Sequence, residues 1–150
     1  MAQSLALNLI HLVYSTKLRK TWLKPDVRPS LFAYQAGVLR ELESPALVIG
    51  GTDDHVHALF MLSKKRHLTG VIEEVKKSSS KWLKTQGPAL ADFQWQSGYG
   101  AFSVSQSKVA HLRQYIETQE THHRTATFKD EFRRLLEKHG IKYDERYVWD

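Results

Sequence analysis

Two histidines one residue apart can grip one metal ion when the backbone is extended, because alternate side chains of a strand share a face. His55-Val56-His57 has that spacing, with Leu59 and Met61 following on the same side and Val56, Ala58, Phe60 and Leu62 on the other. The same pair also suits a half-exposed strand face that binds nothing. A second group lies further along: His111, Tyr115 and Gln119 recur at i, i+4 and i+8, one stripe of a helix. Each taken alone is an ordinary helix residue. Together, two imidazoles and a carboxamide oxygen make a neutral ligand set that leaves positions for phosphate oxygens and water. A hard divalent ion, Mg2+ or Mn2+, suits such a set, whereas zinc favours a more complete protein shell. The ion would polarise a phosphate, and a tyrosine one turn from the third ligand could attack phosphorus covalently. A phenol with a pKa of about 10 needs help from the ion or a base to do so, and the sequence names no base.

The elements that must position these residues follow from the apolar pattern. Residues 5–15 read as a buried strand. A basic connection from Lys17 to Lys24 is closed by Pro25 and Pro29, and Ser30 is placed to cap a helix over 31–43 that ends at Pro45. Residues 46–50 form a strand, Gly50 to Asp54 a turn, and His55 to Leu62 the returning strand of a hairpin. Thr69 caps a helix through 85, stopped by Gly87-Pro88. Residues 93–105 read as a fourth strand whose glycines mark a bulge or a close backbone approach. Ser105 or Ser107 opens a helix through 122, and a last helix covers 129–139 with Gly140 at its end. The tail 141–150 takes no element. The order βαββαβα plus a terminal helix predicts an α+β, ferredoxin-like sandwich: a mainly antiparallel sheet of four to five strands, helices on one face, and a C-terminal helix. No repeat or linker divides the chain, so one domain is expected over 1–150.

Composition narrows the classes. With 41% hydrophobic and 25% charged residues the chain reads as globular, and no run of eighteen apolar residues predicts a membrane span. The first ten residues carry no basic region and read as a strand, not a signal peptide. No cysteine is present, which excludes a disulfide framework and thiolate zinc and fits a cytoplasmic location. Lysine and arginine exceed acids by six, which favours a polyanionic partner. Three basic stretches are candidates to meet it: Lys17, Arg19, Lys20 and Lys24 around Trp22; Lys64, Lys65 and Arg66 after the histidine strand; and Lys76, Lys77, Lys81 and Lys84 beside Trp82, where an aromatic could stack a base. A solvated helix face explains the last group equally well. His122 and His123 read as capping or phosphate-binding residues, with ligation the lesser reading.

The set resembles the single-tyrosine HUH transposases of the smallest insertion sequences, the TnpA type, relatives of the REP-associated tyrosine transposases. Those proteins pair a His-hydrophobic-His strand with a helix carrying Tyr-x-x-x-Gln, here His55-Val56-His57 and Tyr115-Ile116-Glu117-Thr118-Gln119. Gly50-Gly51-Thr52-Asp53-Asp54, Trp95-Gln96-Ser97-Gly98-Tyr99, Gln119-Glu120-Thr121-His122-His123 and Phe128-Lys129-Asp130-Glu131-Phe132 also match, while Gly98-Tyr99-Gly100 is richer in glycine than the family pattern. The resemblance implies an endonuclease and strand transferase that cuts single-stranded DNA at hairpin-marked element ends. Tyr115 would take the 5′ phosphate and release a 3′ hydroxyl, and His55, His57 and Gln119 would hold Mg2+ or Mn2+. It also implies a homodimer in which the helix bearing Tyr115 can approach the partner's histidines. Two other readings stand beside it: a relative that binds hairpin DNA without cutting, and an unrelated metal-dependent hydrolase in which Tyr115 is structural.

Overall fold

The computed structural model describes residues 2–150. Four runs rich in apolar residues pair into one antiparallel sheet: β1 (Leu9–Ser15), β2 (Ala46–Gly51), β3 (His55–Met61) and β4 (Gly100–Val104), in the order β2-β3-β1-β4. The two central strands are buried on both faces, so the pleat sorts their side chains into two cores. On one face, Leu12, Tyr14, Val56, Ala58 and Phe60 pack against α1 (Arg28–Glu41) and α2 (Leu68–Leu83) through Leu31, Leu39, Val71, Ile72 and Leu83. These are the two crossover helices of a ferredoxin-like α+β sandwich, on one face as expected. The chain then returns across the opposite face. There α3 (Val109–Glu117) sets Val109 and Ile116 against Leu9 and Leu59, and α5 (Phe128–Lys138) sets Phe128, Phe132 and Leu136 against Val13 and Phe102. A single helical turn, α4 (Gln119–His122), joins them.

Several boundaries depart from the sequence pattern. β1 begins at Leu9, just after Asn8, whose carbonyl accepts from the Leu62 N–H at 2.8 Å, and Leu5 and Leu7 are exposed. α1 starts at Arg28 with Pro29 in its first turn, and Ser30 caps nothing; α2 is flanked by His67 instead of Thr69. The fourth strand shrinks to Gly100–Val104. Upstream of it Trp95 makes one isolated bridge to Thr16 and the Gln96 N–H donates to the Ser15 carbonyl at 2.9 Å, before the chain leaves the ladder over residues 97–99. Gln96 Oε1 accepts from the Ser15 N–H at 2.8 Å, and the Lys76 ammonium donates to the carbonyls of Gln96, Ser97 and Gly98 at 2.7, 3.1 and 2.8 Å. The helix expected over 107–122 breaks at Thr118 (φ −109°, ψ 29°), whose hydroxyl donates back to the Gln114 carbonyl at 2.8 Å. The tail is placed: Asp150 O accepts from the Gly98 N–H at 2.8 Å, Trp149 O accepts from Arg19 at 2.8 Å, and Trp149 packs near Phe132. Among the described residues no helix is long and apolar enough to cross a membrane.

Candidate metal and tyrosine site

His55 and His57 point to the α3–α5 face of the sheet, the side opposite Val56 and Ala58, and both are fully buried. Two glycines let the helices come close enough to meet them. A Cβ on Gly50 of β2 would stand 2.4 Å from the Ile116 carbonyl oxygen, so only glycine allows α3 to lie this near the strand. A Cβ on Gly100 of β4 would stand 2.8 Å from the Phe132 ring, which explains as a close approach the glycine noted in that strand. α4 is tied to α1 by an ion pair between Glu120 and Arg28. The kink at Thr118 turns Gln119 inward, where it is buried and its Oε1 lies 2.9 Å from His55 Nε2. Its Nε2 donates to the Tyr115 carbonyl at 3.3 Å.

The centre of the site is a residue the sequence reading passed over. Glu131 of α5 is buried and places Oε1 2.8 Å from His57 Nε2, 3.5 Å from His55 Nε2 and 3.2 Å from His123 Nε2. Its other oxygen, Oε2, accepts the hydroxyl of Tyr115. The far nitrogens of the two strand histidines are also held. His55 Nδ1 lies 2.7 Å from Asp54 Oδ1 and 3.0 Å from Thr52 Oγ1, and His57 Nδ1 lies 2.8 Å from His11 Nε2. The signal for Glu131 was present in the sequence as an acid on the buried stripe of an amphipathic helix, between Phe128 and Phe132. His11 showed only as a polar interruption of an apolar strand.

Mutual contact sets the charge states. Burial alone would raise the Glu131 pKa, but the charges of His57 and His55, the hydrogen bond from His57 and the close His123 ring outweigh it and hold the carboxyl well below the usual range. Burial, and then the Glu131 charge, push the Tyr115 phenol well above its ordinary value. Burial lowers His57, and the contact with Glu131 only partly opposes this. At His123 the balance reverses, and Glu131 holds the imidazole above its ordinary pKa against the effect of burial.

The donor set fits a divalent ion. One ligand atom from each of His55, His57 and Glu131 lies within 4.8 Å of the others. Ligands bonded at about 2.1 Å at right angles stand about 3 Å apart, which the contacts of 2.8, 2.9 and 3.5 Å among His57, Glu131, His55 and Gln119 approach. A buried carboxylate surrounded by imidazoles also provides the negative charge that a purely His-His-Gln set lacks.

The expected residues divide into those the fold gathers and those it does not. His55, His57, Tyr115 and Gln119 come together within one chain, whereas His111 faces solvent. Tyr115 stands beside its own His57, with ring centroids 5.8 Å apart, because the turn at Gln106–Lys108 reverses the chain and α3 packs on its own β2 and β3. His123 reaches Glu131, while His122 packs over Tyr115 and stays exposed. Lys76, Lys77, Lys81 and Trp82 lie on α2, behind the sheet from the histidines. The Lys76 ammonium is already taken up by three carbonyls, and the Trp82 ring is stacked on Tyr34 at 5.2 Å, so neither is free in the way expected. Lys64, Lys65 and Arg66 follow the far end of β3, about 20 Å along the strand from His55 at about 3.3 Å per residue, so they do not flank the metal ligands. Lys17 and Lys20 are exposed, and Arg19, whose pKa burial lowers and Asp54 partly restores, lies on the Asp54 side. A cation not foreseen, Arg134 of α5, is exposed and its charge bears on Tyr115.

Comparison with known proteins bears on the fold and the family. A candidate transposase from Deinococcus radiodurans superposes with a TM-score of 0.62 at 20% identity, covering 79% of this chain and 98% of that one. A REP-associated tyrosine transposase solved bound to a REP hairpin superposes with a TM-score of 0.60 at 14% identity, covering 82% of this chain and 74% of that one. At these identities the likeness is one of fold. No curated protein matches the chain at a significant level. A family model described as transposase IS200 like matches residues 5–119, most of the chain and both the His55–His57 strand and the Tyr115–Gln119 segment, and the protein therefore belongs to the IS200-like transposase family.

Proposed function

We propose that this transposase cleaves and rejoins single-stranded DNA at hairpin-marked ends through a covalent 5′-phosphotyrosine on Tyr115. The observation that carries the reading is the convergence, inside one chain, of the Tyr115 hydroxyl and both histidines on Glu131. His55, His57 and Glu131, with Gln119 completing the set, would hold Mg2+ or Mn2+. When bound, the ion supplies Lewis acidity toward the phosphate and positive charge that offsets Glu131 at the tyrosine. Tyr115 Oη attacks phosphorus and passes its proton to Glu131 Oε2. The bond from phosphorus to the upstream O3′ breaks, and that oxygen leaves as a 3′ hydroxyl on taking the proton that Glu131 received. Rejoining is the reverse attack by a second 3′ hydroxyl, so the phosphodiester energy is kept in the protein link and no nucleotide is consumed. Burial of the site behind α3 and α5 keeps bulk water from competing with that hydroxyl. Exposed Arg134, Lys17 and Lys20, with half-buried Arg19 beside them, are the cations we assign to phosphates of the bound strand. The hairpin partner is inferred from the family and from the hairpin bound to the REP-associated relative. A homodimer is proposed because two ends must be held at once and each chain has one Tyr115.

The test is adduct trapping. Labelled single-stranded oligonucleotides carrying hairpins are incubated with the protein and Mg2+ or Mn2+, then run under denaturing conditions. A covalent protein–DNA band with a free 3′ hydroxyl on the released fragment is expected, and EDTA should remove it. Bound but uncut DNA points to a binding relative, and cut DNA with no adduct points to a hydrolase.

A further inference from the structure

We propose that His11 is the positioning residue that decides which nitrogen of His57 is offered to the metal ion. The inference rests on the reading of His57 as a ligand. His11 lies on β1 diagonally across from His57: the register pairs His11 with Leu59 and Val13 with His57, and both rings project from the same face. Both are buried, His11 at 3% exposure and His57 at 0%. Their ring planes lie 22° apart with centroids 5.1 Å apart, and His11 Nε2 stands 2.8 Å from His57 Nδ1, so the rings meet edge to edge. The opposite nitrogen, His57 Nε2, is the one aimed at Glu131.

An imidazole coordinates through a nitrogen that carries no hydrogen, and the partner of its other nitrogen selects the tautomer. With the ion absent, Glu131 accepts from His57 Nε2–H, and His57 Nδ1 accepts from His11 Nε2–H. With the ion bound at Nε2, His57 carries its hydrogen on Nδ1 and donates it to His11 Nε2, and His11 keeps its own on Nδ1. Each ring bears one hydrogen in both states, so the pair changes tautomer without gaining or losing a proton. One contact thus serves both states, because an imidazole nitrogen can be donor or acceptor. A phenylalanine in that place can be neither, while an asparagine can turn its carboxamide to be either. His55 is held differently, by the Asp54 carboxylate and the Thr52 hydroxyl, so the two ligands are oriented by unlike partners.

Two measurements test this. Calorimetric titration with Mn2+ compares the unaltered protein with His11→Phe and His11→Asn. Loss of such a partner typically weakens metal binding by about 10–100-fold, so His11→Phe should bind at least about tenfold more weakly and His11→Asn should recover most of that loss. Equal affinity in all three proteins overturns the proposal. The second measurement uses the unaltered protein labelled with 15N and does not depend on any variant folding. A nitrogen–nitrogen coupling through the hydrogen bond should link His11 Nε2 to His57 Nδ1, and on addition of Mg2+ the hydrogen should move to the His57 side. Absence of the coupling overturns the assignment of His11 even if metal binds. If neither Mn2+ nor Mg2+ binds, the metal reading falls and this proposal with it, whereas ion binding without the coupling overturns the role of His11 alone.

Discussion

Tyr115 donates its hydroxyl to a carboxylate that three histidines surround, so nucleophile and proposed ligands share one acid. Without added positive charge the arrangement keeps the phenol protonated, because burial and the Glu131 charge both raise its pKa. The carboxyl, held far below its usual range by the histidines, is a weak base for the same reason. Both effects favour the resting state; a divalent ion would offset the Glu131 charge felt by the phenol, while Glu131 itself stays a weak base. Tyr115→Phe removes one oxygen and keeps a ring that is only partly buried. Cleavage and adduct formation are expected to vanish while hairpin affinity stays close to that of the parent, and the melting temperature should fall because the buried Glu131 carboxylate loses one partner. Gel trapping and a binding titration measure the two, and retained cleavage in this variant removes Tyr115 as nucleophile.

At the scale of elements, the position of α3 is set by Gly50. A methyl group there meets a backbone oxygen at 2.4 Å, which no rotamer change can relieve. Gly50→Ala should therefore push α3 away from β2 and cost about 1–3 kcal/mol, with a larger loss of cleavage than of stability, since Tyr115 and Gln119 ride on the displaced segment. Urea unfolding and cleavage rate on the same preparation check the split. The tie from α2 to the loop before β4 makes a second prediction. Lys76→Met removes the donor from three carbonyls and should cost about 1 kcal/mol near neutral pH. Burial pulls the Lys76 pKa down to about 8, while an unfolded lysine titrates at about 10.4. Between these values the unfolded chain binds more protons, so the stability of the parent rises with pH. The gap between parent and Lys76→Met should widen from about pH 7 to about pH 10, and unfolding curves at the two pH values that show it constant or shrinking contradict the shift.

Across the whole molecule, one chain assembles the tyrosine, the histidines and Glu131. A dimer of such chains would carry two complete sites. Mixing His57→Ala with Tyr115→Phe, each inactive alone, should restore no cleavage even after proven subunit exchange. Recovery would mean that α3 crosses to the partner in the assembly that cuts DNA. Because the proposed ligands come from β3, α4 and α5, ion binding should also stabilise the fold as a whole. Ligand at a hundred times its dissociation constant contributes about 2.7 kcal/mol, so Mn2+ should raise the melting temperature of the parent and not that of His55→Ala.

The period of two in β3 and the helical spacing from Tyr115 to Gln119 depend only on neighbours in the chain. The sequence therefore determined by itself the βαββαβ order, the common side of His55 and His57, and the nearness of Tyr115 to Gln119. Gly50 and Gly100 were visible as breaks in strands, but what they made room for was not, because the atoms they admit, the Ile116 carbonyl and the Phe132 ring, arrive from distant segments. The helix break at Thr118, the short fourth strand and the place of the tail were likewise set by side-chain hydrogen bonds to remote or competing backbone groups. Glu131 is the clearest case. Sequence alone showed an acid on an apolar stripe; only α5 packing across β1 and β4 brought it to the two histidines and the tyrosine. A carboxylate can be buried at that depth only where several partners compensate its charge, and those partners, His57, His55, His123 and Tyr115, lie on β3, α3 and the loop after α4, which tertiary structure alone assembles.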